Sequence, residues 1–292
     1  MARSDRPLSR KLIRLGALAL GRSRAHRQDV WPGLRIDKKS GRVTWRGHEL
    51  LTLRKAADLV PHGRDMIAVV GSGPSLKSQR VQALGDDTAI LCNGAATLCD
   101  RLRPLAVAVE DERFVFRHHP MLAALPRDVP LLLSPAALRA WAERGRAPLQ
   151  DRAVALIDNL AKPVNLPRRA LSDPALSPVL VRKAGAALSV DPDAGVVITG
   201  TVAFSALQFA LAAMPGRILL AGIDLSNDSQ PRFYEGADST APSGLSAGLD
   251  RILAGFALAR DMADKRGIGL ACASGVSALR GLGIPYDNSL DD

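Results

Sequence analysis

The sequence predicts an α/β fold: a Rossmann-like, mostly parallel sheet with helices on both faces. Two observations predict it. Short apolar runs of strand length recur along the chain, bounded by small or polar residues. Helical stretches separate several of them, and buried strands joined by helical crossovers imply a parallel sheet covered on both sides.

The elements follow in order. Residues 8–21 read as a helix, with Leu8, Leu12, Leu15 and the nearby Ile13 at helical spacing and Arg10, Lys11 and Arg14 between them. Residues 34–46 read as a hairpin, because two alternating runs flank Lys38, Lys39, Ser40 and Gly41. Strand runs follow at 66–70, 88–92, 105–109, 129–133, 217–221 and 268–272. Helices are expected over 201–213 and 246–266. Residues 145–197 carry Pro163, Pro167, Pro174 and Pro178 and read as an irregular insertion or lid. The organisation expected is a basic N-terminal helix and hairpin over 1–55 and one sheet domain over 56–292, with a small lid.

The 292 residues are 47% hydrophobic and 23% charged, a composition that excludes a disordered or low-complexity chain. The net charge of +10 is unevenly spread. Residues 1–55 hold 15 Lys and Arg against 4 Asp and Glu, or +11; the remainder holds 24 against 25, or −1. A neutral body excludes a broad nucleic-acid-binding face. The basic segment leaves open contact with a membrane, polyphosphate or RNA; its helix suits an anionic membrane interface, or packs on the body. The longest apolar stretch near the start, 15–21, is too short to span a bilayer, and no secretory cleavage site follows it. Cys92, Cys99 and Cys272 have no zinc spacing; Cys92 and Cys272 sit in apolar runs and read as buried. No zinc site is expected, and the cysteine usage suits a reducing cytosolic compartment.

Five of the six strand runs end in small or polar residues. Ligands bind beyond the carboxyl ends of strands in such sheets, so these ends are expected to share one cleft. Gly71, Ser72, Gly73, Pro74 and Ser75 would let backbone N–H groups approach a phosphate, with Ser75 capping the next helix or donating a bond. This is neither a Walker loop nor a complete dinucleotide fingerprint. Asn93, Asp224 and Ser274 close three further strand ends. Thr199, Gly200 and Thr201 open an apolar helix and read as an anion site or an ordinary cap. Glu110, Asp111 and Glu112 could bind a metal, act as a base or hold sugar hydroxyls. His118 and His119 follow; on a helix they diverge by about 100°, so at most one faces the site.

Taken in order, GSGPSLK, CNG, VED, ITGT, GIDL and CASGVSAL resemble the bacterial sialyltransferases of glycosyltransferase family 42, which act on lipooligosaccharide. They are also similar to the motility-accessory-factor group, which attaches nonulosonic acids to flagellin. The resemblance covers roughly 64–285. It implies a Rossmann-like domain with a small lid and inverting, metal-independent transfer of a 2-keto acid sugar, sialic acid or Kdo, from its CMP donor. No cofactor is implied beyond that co-substrate. The acceptor implied is a lipopolysaccharide or similar surface glycan. With that lipid-linked acceptor, the expected place is cytoplasmic, peripheral on the inner membrane. By the resemblance, Gly71, Ser72 and Gly73 line the donor phosphate and ribose, Asn93 holds the nucleotide or sugar, and Thr199–Thr201 meet the donor carboxylate. Asp224 matches a strand end, and Tyr234 bonds the leaving phosphate. Asp111 is the first candidate base and His118 or His119 the second. The chain departs from the pattern at Ser72 (Asn in the family), at Val197 (Arg) and at Ser226 (a second Tyr), and no His lies in 235–248. Two other readings stay open: an enzyme using another nucleotide donor, and a non-catalytic nucleotide-binding relative.

Overall fold

The computed structural model describes residues 6–225, 232–234 and 248–291. Its centre is a seven-stranded, wholly parallel sheet. With β1 (Leu34–Ile36), β2 (Arg42–Trp45) and β3 (His48–Thr52) ahead of it, the sheet comprises β4 (Met66–Val70), β5 (Ala89–Cys92), β6 (Ala106–Val109), β7 (Leu131–Leu133), β8 (Val154–Leu156), β11 (Arg217–Ala221) and β12 (Gly269–Cys272). Their order is β12-β11-β4-β5-β6-β7-β8. A separate pair, β9 (Leu180–Lys183) and β10 (Ala186–Ser189), forms an antiparallel hairpin. The helices are α1 (Leu8–Ala17), the single turn α2 (Ala56–Leu59), α3 (Glu112–Ala123), α4 (Pro135–Arg144), α5 (Val202–Ala212) and α6 (Leu249–Lys265).

Strand side chains alternate between two cores. Ile67, Val69, Ile90 and Leu220 pack with Phe204, Leu207 and Phe256 of α5 and α6. Ala68, Val70, Leu91 and Val107 pack on the other side with Val115, Leu138 and Trp141 of α3 and α4, and with Val43 and Trp45 of the N-terminal sheet. Each fully buried aliphatic or aromatic side chain contributes roughly 1.5–3 kcal/mol, so continuous apolar runs favour two-sided burial. All six expected strands form, and Cys92 and Cys272 are buried.

Two expectations need correction. Residues 145–197 are not wholly an insertion: β8 completes the sheet edge, and β9–β10 packs on the α5–α6 side. The periodicity of 154–156 is too short to read, and only pairing with β7 makes it a strand. The N-terminal hairpin gains a third strand, β3, and its core is shared with the central sheet.

The N-terminal helix is held by charge rather than by its leucines. Arg10 is wholly buried; it donates to Glu112 at 3.1 and 3.2 Å, to the Trp31 carbonyl at 2.7 Å and to Gln28. Arg6 and Arg139 also bond Glu112, and Arg14 stands 3.5 Å from it. Among the described residues no helix is long and apolar enough to cross a membrane.

Candidate active site

Strand order reverses between β4 and β11, where open α/β sheets form their binding crevice. Here the two strand ends press together. Gly71 N donates to the Ala221 carbonyl and Gly73 N to the Gly222 carbonyl, both at 2.8 Å. Ser75 gives its N–H and hydroxyl to the buried Asp224 carboxylate at 2.9 and 2.6 Å, and the Ser274 hydroxyl reaches the same group at 2.6 Å. Asp224 thus ties β4, β11 and β12 at their ends. This corrects the phosphate cradle expected at 71–75: the amides of Gly71, Gly73 and Ser75 are bonded inside the protein, and Pro74 has none. Residues 74–78 form a 3-10 turn, and no Ser75 cap is made. The glycines are required by close approach, since a Cβ on Gly71 would overlap the Gly222 carbonyl and one on Gly73 would overlap Asp224. Gly71→Ala is expected to destabilise the fold by about 1–3 kcal/mol, read as a lower urea midpoint.

The start of α5 is more open. Thr199 is buried with its hydroxyl oxygen unpartnered, and Gly200 takes a φ of +112°. Thr201 holds the cap position but makes no capping bond, so the first amides of α5 lack a side-chain partner there. Arg251 of α6 donates from Nε to the Thr199 carbonyl at 2.8 Å, and its guanidinium lies against Gly200. A helix N-terminus beside a guanidinium is an arrangement that can receive an anion. Val197, where the family pattern has Arg, is a core residue whose N–H bonds Gln208. Arg251 carries no sequence motif. It arrives because α6 packs on α5, with Phe204 and Phe256 5.5 Å apart and Gly255 admitting the close contact.

The three adjacent carboxylates have three different surroundings. Glu110 accepts a hydrogen bond from Ser205 of α5 and shares a cavity of about 290 Å³ with Gly200. Burial pushes its carboxyl up to about 7; the Ser205 bond opposes this and the Asp111 charge adds to it. Asp111 caps α3 by accepting the Arg113 N–H at 2.8 Å, and it pairs with the Arg113 guanidinium at 2.7 Å. Its lone pairs serve the helix cap, which disfavours the base role expected of it. Glu112 is the buried clamp of α1. Nothing in the three-letter run separates these roles; α5 and α1 do.

Tyr234 meets one other predicted position, His118, and its neighbour Phe233 meets a second, Ser72. Its ring occupies the space a Cβ on Gly94 would need, beside Asn93, and it packs edge-on to His118 at 5.8 Å. Phe233 N donates to the Ser72 carbonyl at 3.4 Å, joining this segment to the glycine loop. Arg232 donates to the Tyr234 hydroxyl at 3.3 Å. Asn93 sits at φ +50°, with its side-chain oxygen buried and unpartnered. The helix bearing the histidines is kinked at His118 and contains Pro120. His118 faces Phe114 and Tyr234. His119 points toward Gly145, and burial, with Arg144 adding, lowers its pKa. Ser226 and the lid positions 235–247 lie outside the described residues.

No protein-family model matches the chain. Over 60 residues it is 43% identical to a probable 3-deoxy-manno-octulosonic acid transferase of Salmonella typhimurium, a stretch of 20% of this chain and 22% of that protein. The match therefore spans about a fifth of the curated relative. Among solved structures, the chain is similar to the sialyltransferase CstII of Campylobacter jejuni, solved in complex with the substrate analogue CMP-3FNeuAc. The likeness has a TM-score of 0.37 and 12% identity, over 78% of this chain and 88% of that one.

Proposed function

We propose that the protein is a glycosyltransferase that moves a 2-keto acid sugar, Kdo or a sialic acid, from its CMP donor to a lipopolysaccharide or similar surface glycan. The observation that carries this reading is the cavity that Glu110 shares with Gly200 at the start of α5. The Arg251 guanidinium lies against Gly200, and the Glu110 carboxyl is raised to about 7. A 2-keto acid sugar bears a carboxylate on its reacting carbon, and the acceptor hydroxyl must lose a proton beside it. The short stretch shared with a probable 3-deoxy-manno-octulosonic acid transferase supports the donor class.

In this reading Thr199, Gly200, Thr201 and Arg251 hold the donor carboxylate. Glu110, poised near neutrality, takes the proton of the acceptor hydroxyl as its oxygen attacks the anomeric carbon. The bond from that carbon to the CMP phosphate breaks, and CMP leaves. Tyr234, with Arg232 bonded to its hydroxyl, stabilises the departing phosphate, while Asn93 and the Ser72 side chain contact the nucleotide. Asp224, Ser75 and Ser274 act as positioning residues that hold the glycine loop in shape.

The test is a donor screen with CMP-Kdo and CMP-sialic acid, reading CMP release, beside calorimetry with CMP and UMP. Turnover of one CMP-sugar supports the reading. A preference for UMP would assign another nucleotide donor, and no nucleotide binding would assign a non-catalytic relative. Tyr234→Phe is expected to lower kcat by about tenfold or more while leaving CMP affinity within about twofold. Unchanged kcat would remove Tyr234 from the leaving-group step.

A further inference from the structure

Helix α1 is mounted with its apolar side outward. At about 100° per residue, Arg10 and Ala17 lie on one side of the helix and Leu8, Leu12 and Leu15 on the opposite side. Arg10 and Ala17 are buried, whereas Leu8, Leu12 and Leu15 are 75%, 69% and 68% exposed. Exposed Leu20 and Trp31 extend the apolar surface, lining with Leu12 a groove of about 620 Å³. An amphipathic helix on a soluble body normally buries such a stripe. Here the Glu112 clamp holds the arginine side inward and so commits the leucines to the outside.

A second groove, of about 560 Å³, flanks the ridge. Lys11, Arg14, Arg22, Lys162 and Arg168 line it with one carboxylate, Asp29, and Leu15 and Leu18 form its apolar edge. Its two sides are tied together: His26 Nε2 lies 3.1 Å from the carbonyls of Pro163 and Leu166, and Arg168 N donates to the Ser23 carbonyl at 2.8 Å.

We propose that this face docks on an anionic phospholipid bilayer, the leucine ridge and Trp31 entering the acyl boundary and the cationic groove receiving head-group phosphates. Charge complementarity selects this occupant. The leucines alone would suit a second copy of the chain, but pairing two copies would bring like-charged grooves together. A bilayer offers apolar chains and phosphates at the spacing of an interfacial helix. The groove shares Arg14 and Asp29 with the Glu110 cavity, so a bilayer-borne acceptor would meet the reacting groups; that consequence alone rests on the transferase reading.

The test is flotation of the full chain with phosphatidylcholine vesicles, with and without phosphatidylglycerol, at low and high salt. The expected result is binding that requires phosphatidylglycerol and weakens with salt. Leu12→Glu with Leu15→Glu should abolish it, and Lys162→Glu with Arg168→Glu should weaken it by about tenfold or more. Unchanged circular dichroism and urea midpoints show that these exposed variants fold. Failure of the native chain to float, or native-like flotation of the leucine variant, overturns the proposal. So does binding of soluble glycerol phosphate without vesicle binding, or a concentration-dependent dimer that the leucine variant abolishes. No donor enters the assay, so its outcome is independent of the donor screen.

Discussion

Glu110→Gln is expected to lower kcat by about 10²–10⁴-fold, the range supplied by a positioned general base, while CMP affinity stays near native. The carboxyl is raised to about 7, chiefly by burial. The base form is the deprotonated one, so kcat/KM should climb with pH through about 7 and then level; the glutamine variant should lose that limb. Ser205→Ala removes the bond that holds the carboxyl down and should move the limb to higher pH. Stability follows the opposite sense. The folded pKa exceeds the unfolded value of 4.5, so the stabilising contribution is complete below about 4.5 and declines as pH rises through about 7. Glu110→Gln should flatten that slope in urea unfolding across the same window. A glutamine variant with native kcat and a native pH profile would remove Glu110 from the chemistry and return attention to His118.

Glu112→Gln should produce the largest loss of stability, about 3–5 kcal/mol, because it leaves the buried guanidinium groups of Arg10 and Arg139 without their shared carboxylate. Burial pushes the Glu112 carboxyl up, but the Arg6 bond and the charges of Arg10 and Arg139 outweigh it and hold the group below the usual range. The stability it contributes is present above the unfolded carboxylate range and is lost as pH falls through the lowered folded value. Acid should therefore release α1 from the body, seen as hydrogen exchange of 8–17 rising while the central strands stay protected. A loss below about 1 kcal/mol would show that the clamp carries little of the fold.

Much of the fold was legible because it rests on local composition. Runs such as 66–70 and 218–221 are apolar throughout, and only a strand buried on both faces uses such a run economically. The small and polar residues after five of the six strand runs pointed to the carboxyl ends as the candidate site. The edge strand β8 escaped notice, since three residues carry no period. The site was legible as a region and misread in its parts. GSGPS looks like a phosphate loop because glycine suits both a ligand and a close backbone neighbour, and here the neighbour is Gly222.

The sequence by itself determined the sheet and its helices, the apolar stripe at 8–15 and the cluster of polar groups at strand ends, because each depends on residues adjacent in the chain. Tertiary structure decided which groups in that cluster are free to act. Asp224 consumes the donors of Ser75 and Ser274, and Arg251 arrives from α6 to face Gly200. It also decided that α1 turns its leucines outward. A charge buried away from water must find a partner, and Glu112, about a hundred residues later in the chain, supplies it to Arg10.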